Sequence, residues 1–198
     1  QVLMLGGTLG GYPSPNLEVV GEIAGAATAD AAPGPAEARR RVALRRFGTA
    51  VAPAMLEAWR QCSQAFTEFP YHGGVVYQAP MQYGPSNLLW REPTGYRATM
   101  VGYPYDDLDG WRAVYPVAVF IGQFEKMADG FDGAITQLRR ACQDAPGSRT
   151  AAEERAAQEE MRVMEAAAIH WRTIAHQARF IVARREFAAA RSATDTER

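Results

Sequence analysis

Residues 150–190 read TAAEERAAQEEMRVMEAAAIHWRTIAHQARFIVARREFAAA, and this stretch decides the fold. Ala157, Met161, Met164, Ala168, Trp171, Ala175, Ala178 and Val182 follow one another in alternating steps of four and three. On a helix those positions line up as one apolar seam, the heptad pattern of helix-on-helix packing. Neither Gly nor Pro interrupts it. The spacing predicts a helix from about Thr150 to Ala190, roughly 60 Å long at 1.5 Å per residue.

A seam of that length needs a partner, and the preceding segment supplies one. Val117, Phe120, Phe124, Met127, Phe131, Ile135, Leu138 and Cys142 make a second helical stripe, predicting a helix that opens at Pro116 and runs to about Cys142. Gly130 and Gly133 either weaken this helix or let a neighbour approach closely. Ala145-Pro146-Gly147-Ser148 is a turn, so the two helices are expected to pack as an antiparallel hairpin. Further upstream, one helix is expected from Ala36 to Phe47, stopped by Gly48. Another is expected from Thr49 to Glu68, with Ala52, Met55, Leu56, Trp59, Cys62, Ser63 and Phe66 on one face and Pro53 tolerated in its first turn. Asn16 is a candidate cap for a short helix from Leu17 to Ala27, and Thr28 to Pro35 reads as a linker.

Two regions break the helical pattern. Residues 2–5, Val-Leu-Met-Leu, read as a short apolar strand that needs neighbours to satisfy its backbone. Residues 69–115 are rich in Pro, Gly and Tyr without a sustained period, a long irregular stretch of the kind that is often functional. Val75-Val76-Tyr77 and Tyr96 to Val101 are its strand candidates. Every tyrosine except Tyr12 falls here, with Trp90 and Trp111, interleaved with His72, Gln78, Gln82, Asn87, Arg91, Arg112 and several aspartates. Aromatic faces stack on the apolar faces of sugars, while amides, carboxylates and arginines bind hydroxyls. The same aromatics equally serve to anchor loops on the helices.

Composition narrows the function. The net charge is -1 and the isoelectric point about 6.4, a balance that argues against nucleic acid as a partner. Lys126 is the only lysine, and the abundance of Arg, Ala and Gly fits a GC-rich bacterial genome. No apolar run approaches the roughly 20 residues of a membrane span. Cys62 and Cys142 read as buried free thiols, with a disulfide as the alternative. No Cys/His cluster signals a metal, and no cofactor is called for. His170 and His176, six apart, do not share a helix face. Gly6 to Gly11 matches neither the dinucleotide nor the Walker pattern, and no serine sits in GxSxG. Asp106-Asp107-Leu108-Asp109 offers carboxylates. Glycoside hydrolysis needs two of them about 5–10 Å apart, and adjacent residues on an extended chain point apart. Capping of a short helix before Trp111 is the competing role, and calcium binding a further one for which the EF-hand spacing and its glycine are missing.

With these residues laid out, Val2-Leu3-Met4-Leu5-Gly6-Gly7-Thr8-Leu9-Gly10-Gly11-Tyr12-Pro13-Ser14-Pro15-Asn16 resembles the last strand and following loop of a (β/α)8-barrel glycoside hydrolase. The helices after it resemble the helical C-terminal domain of large bacterial enzymes of that kind, including the hexosaminidase-like and α-glucuronidase-like groups. The resemblance implies that the catalytic carboxylates lie on strands upstream of this chain. Such enzymes often close the sugar pocket with a tryptophan after the last strand; here Gly6-Gly7 stands there, and Tyr12 is the nearest aromatic.

The expected fold is therefore mainly α: a helical bundle or hairpin with a long C-terminal helix, an irregular aromatic-rich loop region and a short N-terminal β piece. Residues 1–35 are expected to belong with an upstream domain, 36–191 to form the helical domain, and 192–198 to be a disordered tail. The expected function is the C-terminal helical portion of a cytoplasmic carbohydrate-active enzyme, inactive by itself and bracing the catalytic barrel. Tyr12, Tyr71, His72, Tyr83, Asn87 and Trp90 are the candidate sugar-contacting residues. Carbohydrate, the upstream domain and a second copy of the chain are the candidate partners. The alternatives are a helical interaction module that self-associates through the Ala157–Val182 seam, and a stand-alone sugar-binding protein.

Overall fold

A computed structural model of the chain describes residues 14–26, 28, 31–97, 106–145, 147 and 149–196. The protein is mainly α, and the described residues contain no strand. In chain order the helices are α1 (Pro15–Ala24), α2 (Pro35–Phe66), α3 (Gly73–Tyr77), α4 (Ala79–Tyr83), α5 (Leu108–Trp111), α6 (Val117–Asp144) and α7 (Ala151–Thr196), with a 3-10 turn at Gly84–Ser86. The strand expected at residues 2–5 lies outside the described residues. So does most of the Tyr96–Val101 candidate, of which Tyr96 and Arg97 have no regular structure.

Three local expectations are corrected. Val75-Val76-Tyr77 is helical, although valine favours strands. His72 is extended and its Nδ1 accepts the Gly74 amide at 3.0 Å, capping α3, and Val75 is buried in the core. Tertiary burial overrides the propensity. The first helix starts one residue before Asn16, with Ser14 at its N-cap position and Pro15 in the first turn, where proline's fixed φ suits a helix. α7 continues through Thr196, across residues expected to be a disordered tail. A helix already nucleated by packing extends by single residues without a new nucleation cost.

The chain divides into two compact units, residues 1–56 with 141–157, and residues 57–140 with 158–198. In the first unit, Glu18 and Glu22 lie one turn apart on α1 and pair with arginines of α2: Arg45 with both, Arg46 with Glu18 at 2.9 Å. Ala38, Val42, Ala43, Phe47, Val51 and Met55 form the buried face of α2 here. Gly48 interrupts that helix with φ 70 and ψ 172, as its position after Phe47 predicts. Thr150 and Glu153 form a capping box at the start of α7, each accepting the other's backbone amide at 2.7 and 3.2 Å.

The second unit holds α6 up to Arg140 and α7 from Gln158. Arg139 pairs with Glu165, Arg172 with Asp132 and Asp129, and Arg179 with Glu125. The α6 member falls from 139 to 132 to 125 as the α7 member rises from 165 to 172 to 179, which shows the antiparallel register. Phe120, Phe124 and Met127 of α6 meet Ile174, Ala175, Ala178 and Ile181 of α7, and Val75, Leu108 and Trp111 close this core. Gly130 serves close approach: a Cβ there would collide with Ala65 of α2.

Candidate functional site

The irregular stretch after α4 is laid along α7. Gly84 faces His170, Asn87 bonds to Gln177, and Trp90 bonds to Arg184. Steps of three on the strap match steps of seven on the helix. Gly84–Ser86 is a 3-10 turn and the residues after it are without regular structure, so the strap follows α7 in the same chain direction, fixed by these three contacts. Each contact is specific. Gly84 has φ +48, and a Cβ on it would stand 2.5 Å from His170 Nδ1. Burial holds the His170 ring below its usual pKa, opposed by a hydrogen bond to the Met81 backbone. Asn87 Nδ2 donates to Gln177 Oε1 at 2.5 Å, and Gln177 Nε2 donates to the Gly84 carbonyl at 2.7 Å. Both amides are buried. Arg184 Nη1 donates to the Trp90 carbonyl at 2.7 Å.

The aspartates of the 106–109 run take separate structural duties. Asp106 is buried and pairs with Arg184 Nη2 at 2.6 Å, while the Thr94 hydroxyl and amide also donate to it. Asp107 caps α5 by accepting the Gly110 amide at 3.1 Å. Asp109 pairs with Arg112 and Arg185. Helix capping is the role of Asp107; Asp106 and Asp109 are held in ion pairs. Among the described residues no group of His, Cys, Asp and Glu is arranged to hold a metal ion.

Where the strap passes the last turns of α7, it opens a groove of about 630 Å³ lined by Leu89, Arg91, Phe180, Ala183, Arg184 and Phe187. Phe180, Ala183 and Phe187 lie three and four apart, so they share one face of α7. Leu89 and Phe187 are 56% and 65% exposed. A second groove of about 280 Å³ shares Arg91, Arg184 and Phe187 and adds Glu92, Pro93, Ala188, Arg191 and Ser192. The two form one surface, apolar at one end and charged at the other.

No family model matches this chain, and no curated protein or solved structure is similar to it. The site rests on its geometry.

Of the candidate sugar-contacting residues, Tyr12 lies outside the described residues. Tyr71 is exposed, and its carbonyl accepts the Tyr115 hydroxyl at 3.1 Å. His72 is spent on capping α3. Tyr83 and Trp90 are partly exposed, and Asn87 is buried against Gln177. Only Asn87 and Trp90 belong to the same run of the strap on α7, Asn87 as a fastening and Trp90 beside the groove. The groove's own residues, Leu89, Phe180, Phe187 and Arg191, were not among the candidates. The Phe180-Ala183-Phe187 row was legible as a second apolar row beside the heptad seam, extending beyond its end at Val182.

Proposed function

We propose that the chain is a helical interaction module that binds a partner through the groove between its 88–93 strap and the end of α7. The observation that carries this reading is the groove itself: contiguous, mainly apolar and open, with two large side chains, Leu89 and Phe187, more than half exposed. Contiguous exposed apolar surface is characteristic of protein-binding sites. Asn87 and Trp90 fasten the strap to Gln177 and Arg184 of α7. The binding surface is not the heptad seam. Ala157, Met164, Ala168, Ala175 and Ala178 are buried, so the seam is occupied within the fold. An environment-sensitive apolar dye tests the reading. It is expected to bind the native protein and to lose that binding in Leu89→Asp/Phe187→Asp, with helical circular dichroism unchanged. Undiminished dye binding by this folded variant would remove the groove as the binding surface.

A carbohydrate-binding role, within a glycoside hydrolase parent or alone, is the second reading. It is favoured by the exposed rings of Tyr71, Tyr77 and Tyr96, at 79%, 52% and 62%. Binding to a glycan array that is lost in Tyr71→Ala and Tyr77→Ala would support it; no binding to any glycan would count against it.

A further inference from the structure

The groove changes character along its length, and that gradient points to what fits it. Leu89, Phe180, Ala183 and Phe187 line the apolar end. Three arginines, Arg91, Arg184 and Arg191, line the charged end against one carboxylate, Glu92. Arg184 is neutralised by Asp106. Arg91 stands 3.6 Å from Glu92, but both side chains are almost fully exposed, at 92% and 84%, and a pair so hydrated holds its partners weakly. Arg191 is exposed on the last turns of α7. The charged end is therefore net positive and able to accept an outside carboxylate. Phe180 to Ser192 spans roughly 18 Å of helix at 1.5 Å per residue, enough to lie beside about three turns of another helix.

We infer that the groove receives an acidic amphipathic helix of a partner protein. Its apolar residues, spaced three and four apart, would seat on Leu89, Phe180, Ala183 and Phe187, with a glutamate or aspartate at Arg91 and Arg191. This is helix-in-groove recognition, with charge setting direction and partner choice more than raw affinity. The inference rests on the groove being the binding surface and adds the chemistry of the occupant.

The experiment uses the full chain and two fluorescein-labelled synthetic helices. One carries leucines three and four apart on one face with glutamates flanking them; its twin has lysine at every glutamate. Fluorescence polarisation at low salt is expected to show the glutamate helix binding at least tenfold more tightly than its twin. The preference is expected to reverse in Arg91→Glu/Arg191→Glu, two exposed positions whose exchange leaves the core untouched. Equal binding of the two helices, an unreversed preference in the double variant, or no binding of either would overturn the inference. The dye experiment separates these failures: dye binding that still depends on Leu89 and Phe187 leaves the groove standing while the acidic helix is rejected.

Discussion

Arg184 Nη2 stands 2.6 Å from Asp106 Oδ2, with side chains only 10% and 7% exposed. The same guanidinium holds the Trp90 carbonyl, and the same carboxylate holds Thr94. One ion pair thus ties three pieces of the second unit together: the strap, the segment leading into α5, and α7. The Arg184 Nε is enclosed without an acceptor among the described residues, so the guanidinium is not fully satisfied.

Breaking such a pair leaves one buried charge alone, which costs more than the pair contributes. Arg184→Ala is expected to destabilise the second unit by about 3 kcal/mol, read as a lowered denaturant midpoint. The double variant Asp106→Leu/Arg184→Met is expected to recover much of that loss. If the single variant melts like the parent, the pair does not fasten the strap.

The pair also fixes a pH response. Burial alone would raise the Asp106 pKa, but the Thr94 hydroxyl, Arg184 and the Thr94 amide outweigh it and hold the carboxyl below its ordinary value. A carboxyl with a depressed folded pKa contributes stability that is complete above its unfolded pKa of about 3.9 and is lost as pH falls through the folded value. Thermal melts between pH 7 and 3 are expected to fall more steeply below about pH 4 in the parent than in Asp106→Asn. Parallel curves would refute this.

Gly48→Ala is expected to destabilise the first unit by about 2 kcal/mol. An alanine at φ 70, ψ 172, a region essentially reserved for glycine, costs about 1–3 kcal/mol, and its Cβ would stand 2.5 Å from Glu153 Oε1, displacing the side chain that completes the Thr150 capping box. Adding Glu153→Ala should relieve the steric part alone, so a double-variant cycle that shows no coupling would contradict the contact.

Asn87→Ala is expected to cost about 1–3 kcal/mol, because it strands the buried Gln177 Oε1 without its donor. Hydrogen exchange should then quicken in the 84–90 strap more than in α6. Uniform loss of protection would show that the strap is not an independent local unit.

The two thiols should be slow nucleophiles. Burial, with the Glu160 carboxylate nearby, pushes the Cys62 thiol up to about 11, and burial also raises Cys142. At pH 8 a thiol with pKa near 11 is only about 0.1% thiolate, against roughly a quarter for an ordinary cysteine. Alkylation by iodoacetamide is expected to be more than a hundredfold slower in native protein than in denaturant. Comparable rates would place the thiols at the surface.

The helices and their breaks were legible in the residues. The α6 and α7 stripes are local periodic patterns whose partners lie in the same stretch of chain, and their hairpin follows from the short turn at residues 145–148. Gly48 announced its break because a stop signal followed an apolar period. Residues 69–97 behaved otherwise. Val75-Val76-Tyr77 carry strand propensity, but the His72 cap and burial of Val75 made a helix. The role of Asn87 was invisible because its partner Gln177 lies 90 positions away.

The amino-acid sequence by itself determined the long helices α2, α6 and α7, the break at Gly48 and the buried stripe of each; it did not determine the short helix α3 or the end of α7. What it determined depends on neighbours three and four residues apart. Only the tertiary structure decided how the irregular segment is used: that Asp106 meets Arg184, that Asn87 meets Gln177, and that Leu89 faces Phe187's end of α7. Those contacts join residues far apart in the chain, and no local period carries the register in which a strap without its own periodicity lies down on a helix.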